Sequence, residues 1–99
     1  MKIDYKATAY ATGGRDGHVR VDDSPIDLEM ALPDGLGGSK LEGANPEQLF
    51  AAGYAACFGS ALQHVIRVRR LRLPPPDVQT IVGIGRNDAG NFQLEVDIV

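Results

Sequence analysis

The side chain best suited to covalent chemistry in this sequence is its single cysteine, Cys57. A cysteine attacks other molecules as a thiolate, which requires a cation close by. Arg15 is the best candidate for that cation, because the glycines on both sides of it leave its guanidinium well presented. Glu47 could in turn orient Arg15 through a bidentate ion pair. Together, these three residues raise the hypothesis that Cys57 is a nucleophile.

Each of the three residues also has a purely structural interpretation. Cys57 lies in an apolar stretch of small residues, where free cysteine is usually buried as a small hydrophobic side chain. Arg15 could simply be the exposed arginine of a hairpin turn. Glu47, in the first turn of a helix, would stabilise the helix dipole whatever its chemistry. Spacing alone therefore favours packing over catalysis for Cys57.

Geometry restricts how Glu47 and Cys57 can cooperate. In an unbroken helix, ten residues span about 15 Å and leave the two side chains about 80° short of eclipsed. Either the helix breaks near Gly53, or a second subunit contributes one of the groups. His64 shares a face with Cys57 at about 10 Å, too far for an ion pair with a thiolate. One cysteine and two histidines are a poor ligand set, so no metal or other cofactor is expected.

The elements that must position these residues are a long helix and several strands. Asn45 is a favoured N-cap and Pro46 suits the first helical position, whereas three prolines from Pro74 onward prevent further helix. The apolar pattern predicts a helix to about Val68. Alternation and turn residues predict the strands, which are residues 2–10, 18–22, 26–32, 78–86 and 92–98. We expect one α+β domain over residues 1–99, with an antiparallel sheet packed on a long central helix.

Small residues cover much of the predicted helix surface: Ala51, Ala52, Gly53, Ala55, Ala56, Gly59, Ser60 and Ala61. One small sheet can cover only one stripe of such a helix. Since the chain has one long helix, its partner is expected to be the same helix of a second subunit. The sequence therefore predicts a homodimer with paired central helices.

Composition excludes several other classes of protein. The chain has 99 residues and a net charge of -3, which does not suit a nucleic acid or an anionic membrane as partner. The four arginines between residues 67 and 72 are assigned to the negative end of the helix dipole. One cysteine excludes an internal disulfide, and the start of the chain has no signal-peptide pattern. The apolar stretch 49–62 is shorter than a bilayer needs. A cytoplasmic location is expected.

Three segments carry a resemblance to a known family. They are the turn from Thr12 to Val19, the loop from Leu32 to Gly38 and, above all, the helix start Asn45-Pro46-Glu47-Gln48-Leu49-Phe50-Ala51-Ala52-Gly53-Tyr54-Ala55-Ala56-Cys57-Phe58. The sequence resembles the organic hydroperoxide resistance proteins of the OsmC/Ohr superfamily over essentially the whole chain. The resemblance implies an intertwined homodimer with active sites at the subunit interface.

The resemblance also implies a thiol peroxidase acting on organic hydroperoxides, including those of fatty acids. Cys57 matches the peroxidatic cysteine, Arg15 the arginine that stabilises its thiolate, and Glu47 the carboxylate that holds the arginine. Three apolar residues near Cys57 are candidates for the substrate pocket, with a place in the core as the equal alternative: Leu49, Phe50 and Phe58. The reductant would be an external thiol or a lipoyl-type dithiol.

The chain departs from the family pattern at one point. Family members continue for several tens of residues and carry a second, resolving cysteine, so this chain is expected to be a C-terminally shortened member. Without the second cysteine, a sulfenic acid at Cys57 cannot form an internal disulfide, and full turnover is in question. The alternatives are a catalytically incomplete remnant, acting as a dimerisation or hydrophobic-ligand-binding module, and a one-cysteine redox sensor.

Overall fold

A computed structural model describes residues 1–38 and 42–98, which form an α+β fold with antiparallel strands and one long helix. The predicted fold class is confirmed. The chain divides into two compact units, Met1–Pro46 and Glu47–Val99, and each is described by itself.

The first unit contains a three-stranded antiparallel sheet. Its strands are β1 (Ala9–Thr12), β2 (His18–Val21) and β3 (Asp27–Glu29), in the order β1-β2-β3. Because side chains alternate across a strand, the register sorts them into two faces. One face is apolar: Ala9, Ala11, Val19, Val21 and Leu28. The other face is polar: Tyr10, Thr12, His18, Arg20, Asp27 and Glu29.

The buried residues of this unit follow directly after β3. Met30 and Ala31 are 8% and 7% exposed. The chain returns beside them at Ala44, which forms a parallel bridge with Met30. The Ala31 N–H donates to the Ala44 carbonyl at 2.8 Å, and the Ala44 N–H donates to the Glu29 carbonyl at 2.9 Å. A side chain at Gly43 would come within 2.9 Å of both the Glu29 carbonyl oxygen and the Ala31 Cβ, so only glycine fits this return.

The second unit consists of α1 (Pro46–Val68) and a hairpin of β4 (Thr80–Arg86) and β5 (Phe92–Ile98). The Asn87 side chain closes the hairpin turn, because its Oδ1 accepts hydrogen bonds from the N–H groups of Ala89 and Asn91. The Thr80 hydroxyl donates to the Ala51 carbonyl at 2.7 Å and ties the start of β4 to α1. The hairpin and the helix are thus joined within one unit.

The sequence predicted α1 better than it predicted the first strands. The helix begins at Pro46 and ends at Val68, and β5 covers 92–98, as expected. The strand predicted over 2–10 is regular only from Ala9 to Thr12, because β2, its partner, is four residues long. The strand predicted over 26–32 shortens to three residues, since the chain leaves β2 after Met30 to bridge Ala44.

The length of α1 also corrects one expectation. Its 23 residues are long and apolar enough to cross a membrane, by length and composition only. The apolar stretch identified from the sequence, residues 49–62, is shorter than the helix that the structure contains. A single helix of this kind is weak evidence for a membrane span, since the central helix of a water-soluble protein passes the same test.

The C-terminal end of α1 is closed by a left-handed residue that is not glycine. Arg70 has φ 53°, its N–H donates to the Arg67 carbonyl, and the Leu71 N–H donates to the Ile66 carbonyl. This hydrogen-bond pair is the Schellman motif, in which glycine is the usual left-handed residue. An arginine in this conformation carries a steric cost between its Cβ and the backbone.

We therefore expect Arg70→Gly to stabilise the protein by about 0.5–1 kcal/mol, because relief of the left-handed strain, about 1–2 kcal/mol, exceeds the conformational entropy that glycine costs. The matched control is Arg69→Gly, where φ is not positive and glycine costs conformational entropy instead. Urea unfolding followed by circular dichroism measures both changes. Equal destabilisation by the two variants would contradict the strain assigned to Arg70.

Candidate functional site

Cys57 lies in the middle of α1, and its side chain is exposed. The alternative interpretation of Cys57, as a buried packing residue at mid-helix, does not hold within the single chain. The half-buried residues of α1 from its second turn onward lie mainly on the opposite face: Ala51, Ala55, Phe58, Gly59, Leu62 and Ile66. Because each residue turns the helix by 100°, the mean direction of these side chains around the helix axis is about 150° from that of Cys57. Cys57 is therefore central on the exposed face of α1.

Two aromatic rings lie on the same face as Cys57. Phe50 and Tyr54 are 43% and 39% exposed, and their rings stack with centroids 5.9 Å apart and planes at 27°. Tyr54 is three residues before Cys57, which makes the two side chains neighbours on the helix surface. Tyr54 was not among the predicted site residues, although its spacing from Cys57 was a signal available in the sequence.

The three residues predicted to bind substrate point in different directions around α1. Phe50 is about 20° from Cys57, so it shares the exposed face. Phe58 is about 100° away on the half-buried side, and Leu49 is about 80° away in the opposite sense and also half-buried. Of the three, the helix brings only Phe50 onto the face of Cys57.

Glu47 cannot reach Cys57 along the same helix. It is half-buried in the first turn of α1, and the helix continues through Gly53 without a break. The two residues are consequently about 15 Å apart along the axis. Of the two arrangements left open by the sequence, a break at Gly53 is excluded. His64 is exposed on the Cys57 face at about 10 Å, as its spacing predicted.

Arg15 belongs to the first unit, in the short 3₁₀ turn Gly14–Asp16 between β1 and β2, and it is half-buried. Gly13 and Gly14 have φ of 77° and 57°, a conformation that side chains disfavour. At Gly17 a Cβ would lie 1.7 Å from the Thr12 carbonyl oxygen. Glycines are therefore required on both sides of Arg15, because the turn closes too tightly for side chains.

A groove of about 320 Å³ flanks the exposed face of α1. Helix residues Ala56, Gly59 and Ser60 form one side, and Pro76 and Val78 form the other. Cys57 does not line this groove. Within residues 1–38 and 42–98, no three His, Cys, Asp or Glu side chains cluster as metal ligands.

Comparisons with known families, sequences and structures all indicate the same family. Residues 37–98 match the family model described as OsmC-like protein. The chain is 46% identical to the organic hydroperoxide resistance protein of Xanthomonas axonopodis pv. citri over 98 residues, which are 98% of this chain and 68% of that protein. It is 38% identical to the organic hydroperoxide resistance protein OhrB of Bacillus subtilis over 96% of this chain and 69% of that protein. The crystal structure of an organic hydroperoxide resistance protein from Elizabethkingia anophelis superposes with a TM-score of 0.90 at 48% identity, covering 99% of this chain and 70% of that one.

Proposed function

Because the chain belongs to the OsmC-like protein family, we propose that it acts in organic hydroperoxide resistance as a thiol-dependent peroxidase. The observation that carries this proposal is the position of Cys57 at the centre of an exposed, largely apolar helix face. A thiol that is accessible on such a face can meet the peroxide group of a molecule whose alkyl part packs beside it. The single unpaired cysteine also suits a reducing compartment, and we place the reaction in the cytoplasm.

The reaction is a two-electron oxidation of sulfur. The Cys57 thiolate attacks the terminal oxygen of the hydroperoxide, the S–O bond forms and the O–O bond breaks. The electron pair leaves with the alkoxide, which takes a proton and becomes an alcohol, while Cys57 becomes a sulfenic acid. An external dithiol then condenses with the sulfenic acid and releases water. Its second thiol displaces the Cys57 thiolate and restores the enzyme.

The surroundings of Cys57 favour an alkyl substrate over hydrogen peroxide. The stacked rings of Phe50 and Tyr54 form an apolar platform one to two helical turns before the thiol. Burial of an alkyl group against them contributes about 25 cal/mol per Å² of apolar area. Hydrogen peroxide has no such group and gains nothing from the rings. Leu49 and Phe58 remain candidates for the flanks of the pocket.

We assign Arg15 to stabilising the Cys57 thiolate and Glu47 to holding Arg15. Since α1 is continuous, Glu47 and Cys57 of one chain are too far apart to serve one site. A complete site then takes Cys57 from one subunit and Glu47 from its partner.

The first test measures the oxidation of the reduced protein by cumene hydroperoxide and by hydrogen peroxide. We expect Cys57 to react faster than free cysteine, to gain one oxygen atom by mass spectrometry, and to prefer cumene hydroperoxide. Cys57→Ser is the control. Oxidation no faster than that of free cysteine would refute the peroxidase and favour a binding module. A single oxidation without turnover by dithiols would favour a one-cysteine redox sensor.

Replacing Arg15 tests the electrostatic part of the proposal. Arg15→Ala is expected to slow oxidation of Cys57 by about tenfold or more, which corresponds to about 1.4 kcal/mol of lost stabilisation. Arg86→Ala is the matched control, because that guanidinium lies over the Phe92 ring in the β4–β5 hairpin. Stopped-flow rates with cumene hydroperoxide measure both variants. Equal rates for Arg15→Ala and the control would remove Arg15 from the site.

Mixed subunits test the shared site. Chains with Cys57→Ser and chains with Glu47→Ala are each expected to be impaired. In a mixed dimer, the intact Cys57 of one chain meets the intact Glu47 of the other. Random mixing should then restore up to about a quarter of the wild-type rate, since half of the dimers are mixed and each has one complete site. No recovery in dimers that are verified as mixed would mean that the site is built within one chain.

A further inference from the structure

His18, the first residue of β2, lies between two carboxylates of β3. Its Nδ1 is 2.8 Å from Glu29 Oε1, and its Nε2 contacts Asp27 Oδ1. The register explains this placement: His18 is opposite Glu29, and Asp27 is two residues away on the same strand face. Both ring nitrogens therefore face hydrogen-bond acceptors.

This geometry suits the imidazolium and not the neutral ring. A neutral imidazole has one N–H, so its second nitrogen would face a carboxylate as one acceptor against another. The imidazolium donates from both nitrogens and balances part of the charge of the two carboxylates. The side chains of His18, Asp27 and Glu29 are 40%, 64% and 75% exposed, so the ring exchanges protons freely with solvent.

The other charged groups on this face have partners of their own. Arg20, on the same strand, donates to Asp22 at 2.8 Å and lies 4.1 Å from the centre of the Tyr10 ring. The residue opposite His18 on β1 is the uncharged Thr12. Arg15 and Asp16 precede His18 in the turn. Within the sheet of the first unit, Asp27 and Glu29 are therefore the carboxylates that contact the His18 ring.

We propose that His18 is a pH-dependent latch that holds the Arg15 turn to β3. The turn ends at Gly17, whose carbonyl accepts a hydrogen bond from the Met30 N–H at 2.7 Å, directly beside the His18–Glu29 pair. β3 has only three residues, so few backbone hydrogen bonds hold the base of the turn. A side-chain bridge from His18 to two positions of β3 adds to them. His18 is thus a positioning residue, and its link to catalysis rests on the proposed role of Arg15.

The direction of the pH effect follows from the two carboxylates. The hydrogen bond to Glu29, and next the one to Asp27, raise the pKa of His18 above its ordinary 6.5. A group whose pKa is raised on folding contributes its full stability below the unfolded-state pKa, and the contribution disappears as pH rises through the folded-state pKa. The latch is closed, with His18 bonded to both carboxylates, on the acidic side of the His18 pKa. It is open on the alkaline side.

The test is a proton NMR titration of the histidine ring protons, with His64→Gln used to assign the two histidines. The His18 midpoint is expected above 6.5, and Glu29→Gln and Asp27→Asn should each lower it. Hydrogen exchange of the Met30 amide should be slower in the wild type than in His18→Gln at low pH, by about two- to fivefold, and equal at high pH. His18→Arg carries a permanent cation and should keep the protection on the alkaline side of the His18 midpoint, where the wild type loses it.

A midpoint at or below 6.5, or equal Met30 protection in the wild type and His18→Gln at every pH, would overturn the latch. These readouts do not depend on peroxidase activity, so the latch can fail or hold separately from the proposed function. If both hold, the ratio of wild-type to His18→Gln oxidation rates should decrease to one as pH rises. A rate ratio that is constant with pH would mean that the latch does not affect the role of Arg15 in oxidation.

Discussion

The continuity of α1 decides which groups Cys57 can meet. The hydrogen bonds of a helix fix both the rise and the rotation of every side chain, so the position of Glu47 relative to Cys57 is set once the helix passes Gly53 unbroken. The same regularity places Phe50 and Tyr54 in line with the thiol and turns Phe58 aside. A kink at Gly53 would have made a site within one chain conceivable. The straight helix instead keeps Glu47 of the same chain out of reach of Cys57.

The sheet of the first unit depends on side-chain pairs as well as on backbone hydrogen bonds, because its strands are too short to be held by backbone pairing alone. Strands of three and four residues leave the turn around Arg15 with few ladder hydrogen bonds. The polar face adds side-chain pairs across the strands: His18 with Glu29 and Asp27, and Arg20 with Asp22 and Tyr10. Exposed pairs of this kind each contribute little, but several together define the register.

The helix and the last hairpin could be predicted because their signals are local. Asn45, Pro46 and the prolines from Pro74 act within a few residues of the helix ends, and 92–98 alternates regularly. The extents of the first strands could not be predicted, since they depend on how long their partners are. The exposure of Cys57 was missed for a similar reason: its apolar neighbours suggest burial, but the hairpin of the same chain covers the other side of α1. Residue types and context made Cys57, Arg15 and Glu47 candidates and the family resemblance matched them to roles, whereas the His18 bridge needed the strand register.

The left-handed turn at Arg70 has a consequence for the accessibility of the thiol. By reversing the chain at the end of α1, it sends residues 73–78 back along the helix, where Pro76 and Val78 lie beside Gly59 and Thr80 reaches Ala51. One side of α1 is thereby occupied by its own chain. Within this unit, a molecule that approaches Cys57 must therefore come from the side of the helix that residues 73–78 and the hairpin leave uncovered.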